Sequence, residues 1–247
     1  QDQLSIMLQP KVECQSGALV GFEVLARWQH PQMGNIPPDQ FIAIAEHNQL
    51  IDTLTEVIFN KALHWFSAFC AERQAAASVS TGKHLLCSIN ISALSLKNLQ
   101  LFNLLDQLCR HHQIPAEQIM LELTETGAMD DTLASLDILT RLRMKGFQLS
   151  IDDFGTGFSS MLQLVRMPFS EVKVDKSFVM TAQHSRESQL VIKAIIDLAH
   201  SLDMVVIAEG IEDADTLQFL QQLGCDKAQG YFIGKPLHDH QITDWLA

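Results

Sequence analysis

The sequence predicts an α/β protein with a TIM-like (β/α)₈ barrel, and two observations carry this prediction. Short β-branched or apolar runs alternate with longer amphipathic stretches, which is typical of repeated βα units around a parallel sheet. Eight such runs can be counted, and 247 residues is an ordinary length for a barrel that folds as one domain. We therefore expect residues 1–247 to form a single domain. Because the chain does not begin with methionine, we also expect it to be a piece of a longer polypeptide.

The predicted strands are the short runs bounded by turn-forming residues. They lie near residues 5–9, 19–27, 85–91, 118–123, 147–152, 171–175, 204–208 and 228–232. We expect the first strand to pair irregularly, as an antiparallel strand, because no clear helix separates it from the second.

The predicted helices are the stretches with apolar residues at helical spacing, near residues 97–112, 131–145 and 187–202. A further helix over 214–223 has Asp213 as its expected N-cap and Gly224 as its expected C-terminal stop. The Ala/Ser-rich stretch from Ala71 to Thr81 has no apolar period, so we predict a surface loop there.

Composition excludes several classes of function. Hydrophobic residues make up 47% of the chain, enough for a large core, and the net charge of −12 opposes binding to a polymeric nucleic acid. Nothing in the sequence resembles a membrane span or a signal peptide, so we expect no membrane contact and a cytoplasmic location. The five cysteines form no Cys-x-x-Cys pair, which favours structural roles in a reducing compartment.

Polar side chains follow the predicted strands at their C-terminal ends, where barrel enzymes assemble active sites. These residues are Asn90, Glu122, Asp152, Asp153, Glu209 and, opening the last unit, Gln229. In residues 171–175 charged residues alternate with valines, so strand alternation directs Lys173 toward the barrel interior. The adjacent residues Asp152 and Asp153 need a turn between them to act together.

Convergence of these ends would create an electrostatic problem. Five negative charges would meet the single positive charge of Lys173, leaving a net charge of about −4; they belong to Glu23, Glu122, Asp152, Asp153 and Glu209. This net charge would raise the pKa values of several of these groups unless cations bind. Oxygen ligands favour Mg²⁺ or Mn²⁺ over zinc, and two such ions can activate water and stabilise an in-line phosphoryl displacement. The residues therefore predict a two-metal phosphodiester hydrolase.

The ordered motifs resemble those of EAL-domain phosphodiesterases, which linearise the bacterial second messenger cyclic di-GMP. The matching motifs are residues 21–28 (GFEVLARW), 90–92 (NIS), 122–125 (ELTE), 152–160 (DDFGTGFSS), 173–176 (KVDK), 208–212 (AEGIE) and 229–232 (QGYF). The resemblance covers essentially the whole chain and implies an enzyme that forms linear pGpG with two Mg²⁺ or Mn²⁺ ions. It also implies a homodimer and an upstream regulatory domain in a longer signalling protein.

The resemblance assigns roles to residues that match the motifs. The implied metal ligands are Glu23, Asn90, Glu122 and Asp152 for one ion and Asp152, Asp153 and Glu209 for the other, with Gln229 holding a water. The implied catalytic residues are Glu23, Asp152, Lys173 and Glu209, and the implied substrate-binding residues are Gln9, Leu25, Arg27 and Pro236. The loop from Phe154 to Ser160, with Gly155 and Gly157, would couple the metals to the dimer interface. Glu125 would steady this loop, and Glu212 would be a supporting residue.

Two departures and three alternatives accompany this interpretation. Val24 replaces the central alanine of the signature tripeptide, and the Ala71–Thr81 loop is longer than usual, but neither change removes a proposed ligand. The main alternative is a catalytically inactive sensor that binds the same nucleotide. Lys173 could instead be a structural lysine paired with Glu171, or a Schiff-base nucleophile of an aldolase-like barrel, although nearby carboxylates would keep it protonated.

Overall fold

The computed structural model describes residues 3–76, 85–129, 132–157 and 161–246. Nine strands occur in these residues, eight of them close to the predicted positions. They are β1 (Leu4–Glu13), β2 (Leu19–His30), β3 (Gly34–Ile36), β4 (Leu86–Asn90), β5 (Ile119–Thr124), β6 (Gln148–Phe154), β7 (Glu171–Val174), β8 (Val205–Ala208) and β9 (Lys227–Ala228). The additional strand, β3, pairs with the end of β2.

Eight of the described strands close into a barrel. The order around the ring is β1, β9, β8, β7, β6, β5, β4 and β2, and pairing of β1 with β2 completes the circle. Neighbours from β2 through β4 to β9 run parallel, whereas β1 runs antiparallel to both β2 and β9. The predicted (β/α)₈ fold class and its irregular first strand are confirmed.

Ten α-helices occur in the same part of the chain. They are α1 (Pro38–His47), α2 (Ile51–Ala76), α3 (Leu99–His111), α4 (Glu125–Met129), α5 (Thr132–Met144), α6 (Met161–Arg166), α7 (Lys176–Thr181), α8 (Arg186–Ser201), α9 (Ala214–Gln222) and α10 (Ile242–Leu246). Helices α3, α5, α8 and α9 lie where the apolar periodicity predicted them. Asp213 caps α9 by accepting a 2.7 Å hydrogen bond from the backbone N–H of Thr216, and Gly224 follows the helix with φ +80°. None of the helices in the described segments is both long enough and apolar enough to cross a membrane.

Two local predictions were wrong. The first residues of the predicted Ala71–Thr81 loop are helical, because α2 extends to Ala76. Alanine, which is frequent in this stretch, is the residue that most favours a helix. Residues 77–84 lie outside the described residues. The last barrel strand ends at Ala228 instead of continuing to residue 232, because the chain turns at Gly230. A Cβ at Gly230 would lie 2.2 Å from the backbone of Ile211, so only glycine fits this close contact.

The apolar core lies mainly between the barrel and its helices. Val172 and Val174 of β7 and Phe22 of β2 are fully buried on the outward faces of their strands, and Phe22 packs edge-on against Trp65 and Phe69 of α2. Strand alternation then turns the intervening residues into the barrel interior. The interior is therefore where the charged residues of these strands meet.

Candidate active site

An acidic cluster surrounds Lys173 inside the barrel. The Nζ atom of Lys173 lies 2.7 Å from Glu122 Oε2, 2.7 Å from Glu209 Oε1, 3.0 Å from Asp152 Oδ2 and 3.6 Å from Glu23 Oε2. The lysine side chain is 1% exposed. Residues far apart in sequence thus meet at one point, because parallel strands in register bring their C-terminal ends to the same mouth of the barrel.

Asp152 and Asp153 face this point together despite being neighbours in sequence. Asp153 has φ +55°, in the left-handed region, and the pairing of β6 with β7 is irregular between Ile151 and Phe154. The backbone N–H of Asp153 donates to Oδ1 of Asp152 over 2.9 Å. Carboxylate oxygens of Asp152, Asp153 and Glu209 lie within 4.8 Å of one another, close enough to ligate one cation. The predicted turn between the two aspartates therefore exists as a local reversal of the strand alternation.

An amide network joins Glu23 to Gln229, the residue that follows the last barrel strand. Glu23 accepts hydrogen bonds from Asn90 Nδ2 at 2.8 Å and from Gln229 Nε2 at 2.7 Å. The same Gln229 nitrogen donates to Gln9 Oε1 at 3.1 Å, and Gln9 in turn donates to the backbone oxygen of Gly234 at 3.1 Å. Oε1 of Gln229 is buried and has no hydrogen-bond partner among the described residues. This oxygen is available to a water or another donor within the site.

Lys11 is a second buried lysine of the cluster, and none of the motifs predicted it. Its Nζ atom forms an ion pair with Oε1 of Glu122 and donates a 3.0 Å hydrogen bond to Oγ of Ser88. The predicted net charge of about −4 therefore becomes about −3. The available signal was strand alternation, since Lys11 lies two residues beyond Gln9 on β1 and shares its face.

The carboxyl groups of the cluster differ widely in pKa, because burial, mutual repulsion and the nearby lysines act on them to different extents. Burial raises the pKa of Glu209 to about 8 and that of Asp152 to about 6, against the opposing effect of Lys173. Burial also raises the pKa of Asp153. The pKa of Glu122 changes in the opposite direction, because Lys11 and Lys173 overcome the effect of burial and lower it to about 2. Part of the cluster therefore holds protons near neutral pH until additional positive charge enters.

Lys173 is held in its protonated form. Burial opposes the charge, but Glu122, Glu209, Glu23 and Asp152 raise the pKa of Lys173 well above its ordinary value. A Schiff-base nucleophile requires a neutral amine, so this environment disfavours the aldolase-like alternative.

The alternative pairing of Lys173 with Glu171 is wrong. Glu171 instead accepts a 2.6 Å hydrogen bond from Nζ of Lys227, which is the first residue of β9. Glu171 and Lys173 are two residues apart on the inward face of β7, and each pairs with a different partner. Of the two, Lys173 is the one that belongs to the acidic cluster.

The segment after Asp153 is fastened to Glu125 at the start of α4. Oε2 of the buried Glu125 accepts hydrogen bonds from the backbone N–H groups of Gly155 at 2.9 Å and Gly157 at 3.3 Å. A Cβ at Gly157 would lie 2.9 Å from Oε1 of Glu125, so a side chain at this position would require the Glu125 carboxylate to shift. The remainder of the predicted loop, residues 158–160, lies outside the described residues.

The remaining predicted residues lie near the rim. Leu25 and Arg27 share the face of β2 that carries Glu23 and are half-buried, and Arg27 donates a 2.8 Å hydrogen bond to the backbone oxygen of Ala26. Burial lowers the pKa of Arg27, although Tyr231 and Glu23 counteract this effect.

Two predicted residues depend on the loops that follow the last strands. Pro236 is half-buried and adjoins Leu237, whose backbone forms two hydrogen bonds with Leu8 at the mouth end of β1. Glu212 is exposed, and no hydrogen bond within the described segments joins it to the cluster. The structure thus brings Pro236 beside the strand that carries Gln9 and leaves Glu212 outside the cluster.

Several known proteins resemble this chain over nearly its whole length. The EAL domain family matches residues 1–236. The cyclic di-GMP phosphodiesterase RocR of Pseudomonas aeruginosa is 35% identical over 239 residues, which are 97% of this chain and 59% of that protein. The bifunctional diguanylate cyclase/cyclic di-GMP phosphodiesterase MucR of the same species is 35% identical over 245 residues, which are 99% of this chain and 35% of that protein. The chain thus spans from about a third to about three fifths of these two relatives.

A solved structure extends the likeness to three dimensions. The PaMucR phosphodiesterase in complex with c-di-GMP has a TM-score of 0.89 and 35% identity, covering 97% of this chain and 94% of that one. The match in sequence, fold and length of the aligned segment is sufficient to assign the family. This chain belongs to the EAL domain family.

Proposed function

We propose that this chain is a phosphodiesterase that hydrolyses cyclic di-GMP to linear pGpG with two divalent cations, Mg²⁺ or Mn²⁺. The convergence of carboxylates from separate strands around one buried point carries this proposal. Three of them, on Asp152, Asp153 and Glu209, offer oxygen atoms within 4.8 Å of one another. Relatives whose names include cyclic di-GMP phosphodiesterase share 35% of their aligned residues with the chain.

The residues of the cluster have the chemistry that two hard cations require. Glu23, Asn90, Glu122 and Asp152 would hold one ion, and Asp152, Asp153 and Glu209 would hold the other. Bound divalent ions would lower the pKa of a water molecule and stabilise negative charge on the phosphoryl oxygens. The raised pKa values of Asp152 and Glu209 support this proposal, because they reflect a cluster that needs more positive charge.

The reaction adds one water molecule across one phosphodiester bond of the cyclic dinucleotide. One phosphorus–oxygen bond forms and another breaks, leaving a free 3′ hydroxyl and a terminal 5′ phosphate in the linear product. Protonated Lys173 can donate hydrogen bonds to the attacking water or to phosphoryl oxygens as negative charge develops there. The unpartnered Oε1 of Gln229 can accept a hydrogen bond from a water and so orient it.

Substrate recognition would use the rim. Gln9, Leu25, Arg27 and Pro236 are the proposed contacts, and the Arg27 guanidinium provides the positive charge that a phosphate group needs in a strongly acidic protein. A small anionic ligand can bind beside this local positive charge. A polymeric nucleic acid would cover more of the surface and would be repelled by the overall net charge of −12.

The biological setting is also a proposal. We propose that residues 1–247 are one catalytic domain of a longer cytoplasmic or membrane-anchored signalling protein with an upstream regulatory domain. The domain would act as a homodimer, and the segment fastened by Glu125 would connect the metal site to the dimer interface. The proposal of a longer protein is supported by the relatives RocR and MucR, because the chain spans only 59% and 35% of their lengths.

Nucleotide chromatography with and without a chelator tests the proposed reaction. Purified protein at micromolar concentration should convert cyclic di-GMP to pGpG with Mg²⁺ or Mn²⁺, and excess chelator should stop the conversion. Absence of product with either metal would contradict an active enzyme. If calorimetry then showed tight binding of intact cyclic di-GMP, the chain would be assigned as a sensor.

A further inference from the structure

The two carboxylate oxygens of Glu122 are held by two different lysines. Lys173 of β7 donates to Oε2 at 2.7 Å, and Lys11 of β1 pairs with Oε1. All three side chains are almost completely buried, with exposures of 0% for Glu122, 1% for Lys173 and 4% for Lys11. Glu122 is therefore constrained from two directions.

Lys11 differs from Lys173 in its position and its partners. Lys173 contacts four carboxylates, whereas the hydrogen bonds of Lys11 in the described structure go to Glu122 and to Oγ of Ser88. Ser88 lies two residues before Asn90 on β4, so Lys11 approaches Glu122 from the deeper layer of the barrel. Lys11 reaches this layer because β1 runs antiparallel, which places it one layer below Gln9.

We infer that Lys11 is a positioning residue that holds Oε1 of Glu122, so that Oε2 is the oxygen oriented to ligate a divalent cation. This inference rests on the proposed metal-dependent function. Lys11 occupies Oε1 from below, so Oε2 is the oxygen of Glu122 that faces the cluster. If a cation took the place of the Lys173 ammonium group beside Oε2 of Glu122, the contact between Lys11 and Oε1 would remain intact.

The energetic argument follows from burial. A buried carboxylate that loses a lysine partner becomes an uncompensated charge, which is strongly unfavourable in a protein interior. Such a group relieves the cost by changing its orientation, which moves the ligand oxygen out of place. Loss of a group that holds a metal ligand lowers metal affinity by about 10–100-fold in known metal sites.

Binding of Mn²⁺ alone, followed through the paramagnetic resonance signal of free Mn²⁺, tests the inference without catalysis. The Lys11→Met variant keeps the length of the side chain and removes its charge, and we expect it to bind Mn²⁺ about 10–100-fold more weakly than the parent chain. Lys11→Arg keeps a charged donor and should recover most of the affinity. If Lys11→Met does not fold, Lys11→Gln replaces it in this comparison.

Lys227→Met is the matched control, because it also removes the lysine partner of a buried glutamate, Glu171, in the barrel interior. Its partner Glu171 lies outside the acidic cluster, so we expect the Mn²⁺ affinity of this variant to match the parent. Unchanged binding in folded Lys11→Met would overturn the inference, as would tighter binding, which would reduce Lys11 to a cation that repels the metal. Equal weakness of Lys11→Arg and Lys11→Met would also overturn it. Failure of the parent chain to bind Mn²⁺ would instead contradict the proposed function.

Discussion

Asp152 and Asp153 are neighbours in sequence, yet their carboxylates lie on the same side of the barrel wall, because Asp153 adopts a left-handed backbone conformation with φ +55°. In a regular strand the two side chains would point to opposite faces. The irregular pairing of β6 with β7 accommodates this reversal. Aspartate tolerates the left-handed region better than most residues with a side chain, which makes it suited to this position.

The first prediction concerns Asp152, the carboxylate proposed to contact both cations. Asp152→Asn keeps the size of the side chain but removes its charge, so we expect kcat to fall on the order of 10²–10³-fold with the fold unchanged. Steady-state kinetics with cyclic di-GMP and circular dichroism measure the two effects. Asp197→Asn, on the exposed face of α8, is the control and should keep parental kinetics. A near-normal rate in Asp152→Asn would exclude a shared ligand at this position.

The second prediction concerns the dependence of stability on pH without metal. Stability falls with rising pH wherever the folded state binds more protons than the unfolded state. Asp152 and Glu209 meet this condition, because folding raises their pKa values from 3.8 and 4.5 to about 6 and about 8. Glu122, with its pKa lowered to about 2, contributes the opposite dependence only in more acidic solution. In the presence of chelator, the melting temperature should therefore decrease between pH 5 and pH 8, by a few degrees for each kcal/mol lost.

Mn²⁺ should oppose this decrease in melting temperature, because a cation binds the deprotonated carboxylates and its affinity rises with pH. Scanning calorimetry at pH 6 and pH 8, with Mn²⁺ or with chelator, measures the effect. The stabilisation by Mn²⁺ should be larger at pH 8. An equal gain at both values would show that the cluster does not take up protons when the metal is removed.

The third prediction concerns the contact between Gly157 and Glu125. In Gly157→Ala the added Cβ would lie 2.9 Å from Oε1 of Glu125, so the segment or the carboxylate must move. Because this segment follows Asp153 directly, we expect about a 10-fold loss of kcat with a smaller change in stability. Glu125→Ala, which removes the acceptor for the Gly155 and Gly157 N–H groups, should have a similar effect. Parental kcat in both variants would dissociate this contact from the metal site.

The fourth prediction concerns the close packing of β2 against β4. A Cβ at Gly21 would lie 2.1 Å from the backbone oxygen of Leu86, so Gly21→Ala must separate the two strands. We expect a loss of about 2–3 kcal/mol in the free energy of unfolding, measured by urea denaturation. Gly17→Ala is the matched control, since Gly17 has φ +69° but no atom of the described residues within 4 Å of its Cβ position. It should cost only about 1 kcal/mol. Equal losses in the two variants would exclude the strand clash as the cause.

Local patterns were sufficient to predict most of the secondary structure and the fold class. The alternation of Val172 and Val174 with charged residues determines which face of β7 is apolar, and the spacing of leucines determines α3. The C-terminal polar residues, including Glu122 and Asp152, could be grouped because parallel strands end at the same mouth of a barrel. These predictions depend only on short-range periodicity and on general rules of topology.

The partners within the barrel depended on the tertiary structure. Lys11 joins the cluster because β1 runs antiparallel and contributes from its deeper layer, while Glu171 pairs with Lys227 across strands that are distant in sequence. Likewise, Gly230 ends the last strand because the Ile211 backbone lies against it. The sequence by itself determined which residues are apolar, charged or flexible along each element. Only the closed barrel decided which charges share a buried space, because electrostatic pairing depends on distances between segments that local periodicity does not contain.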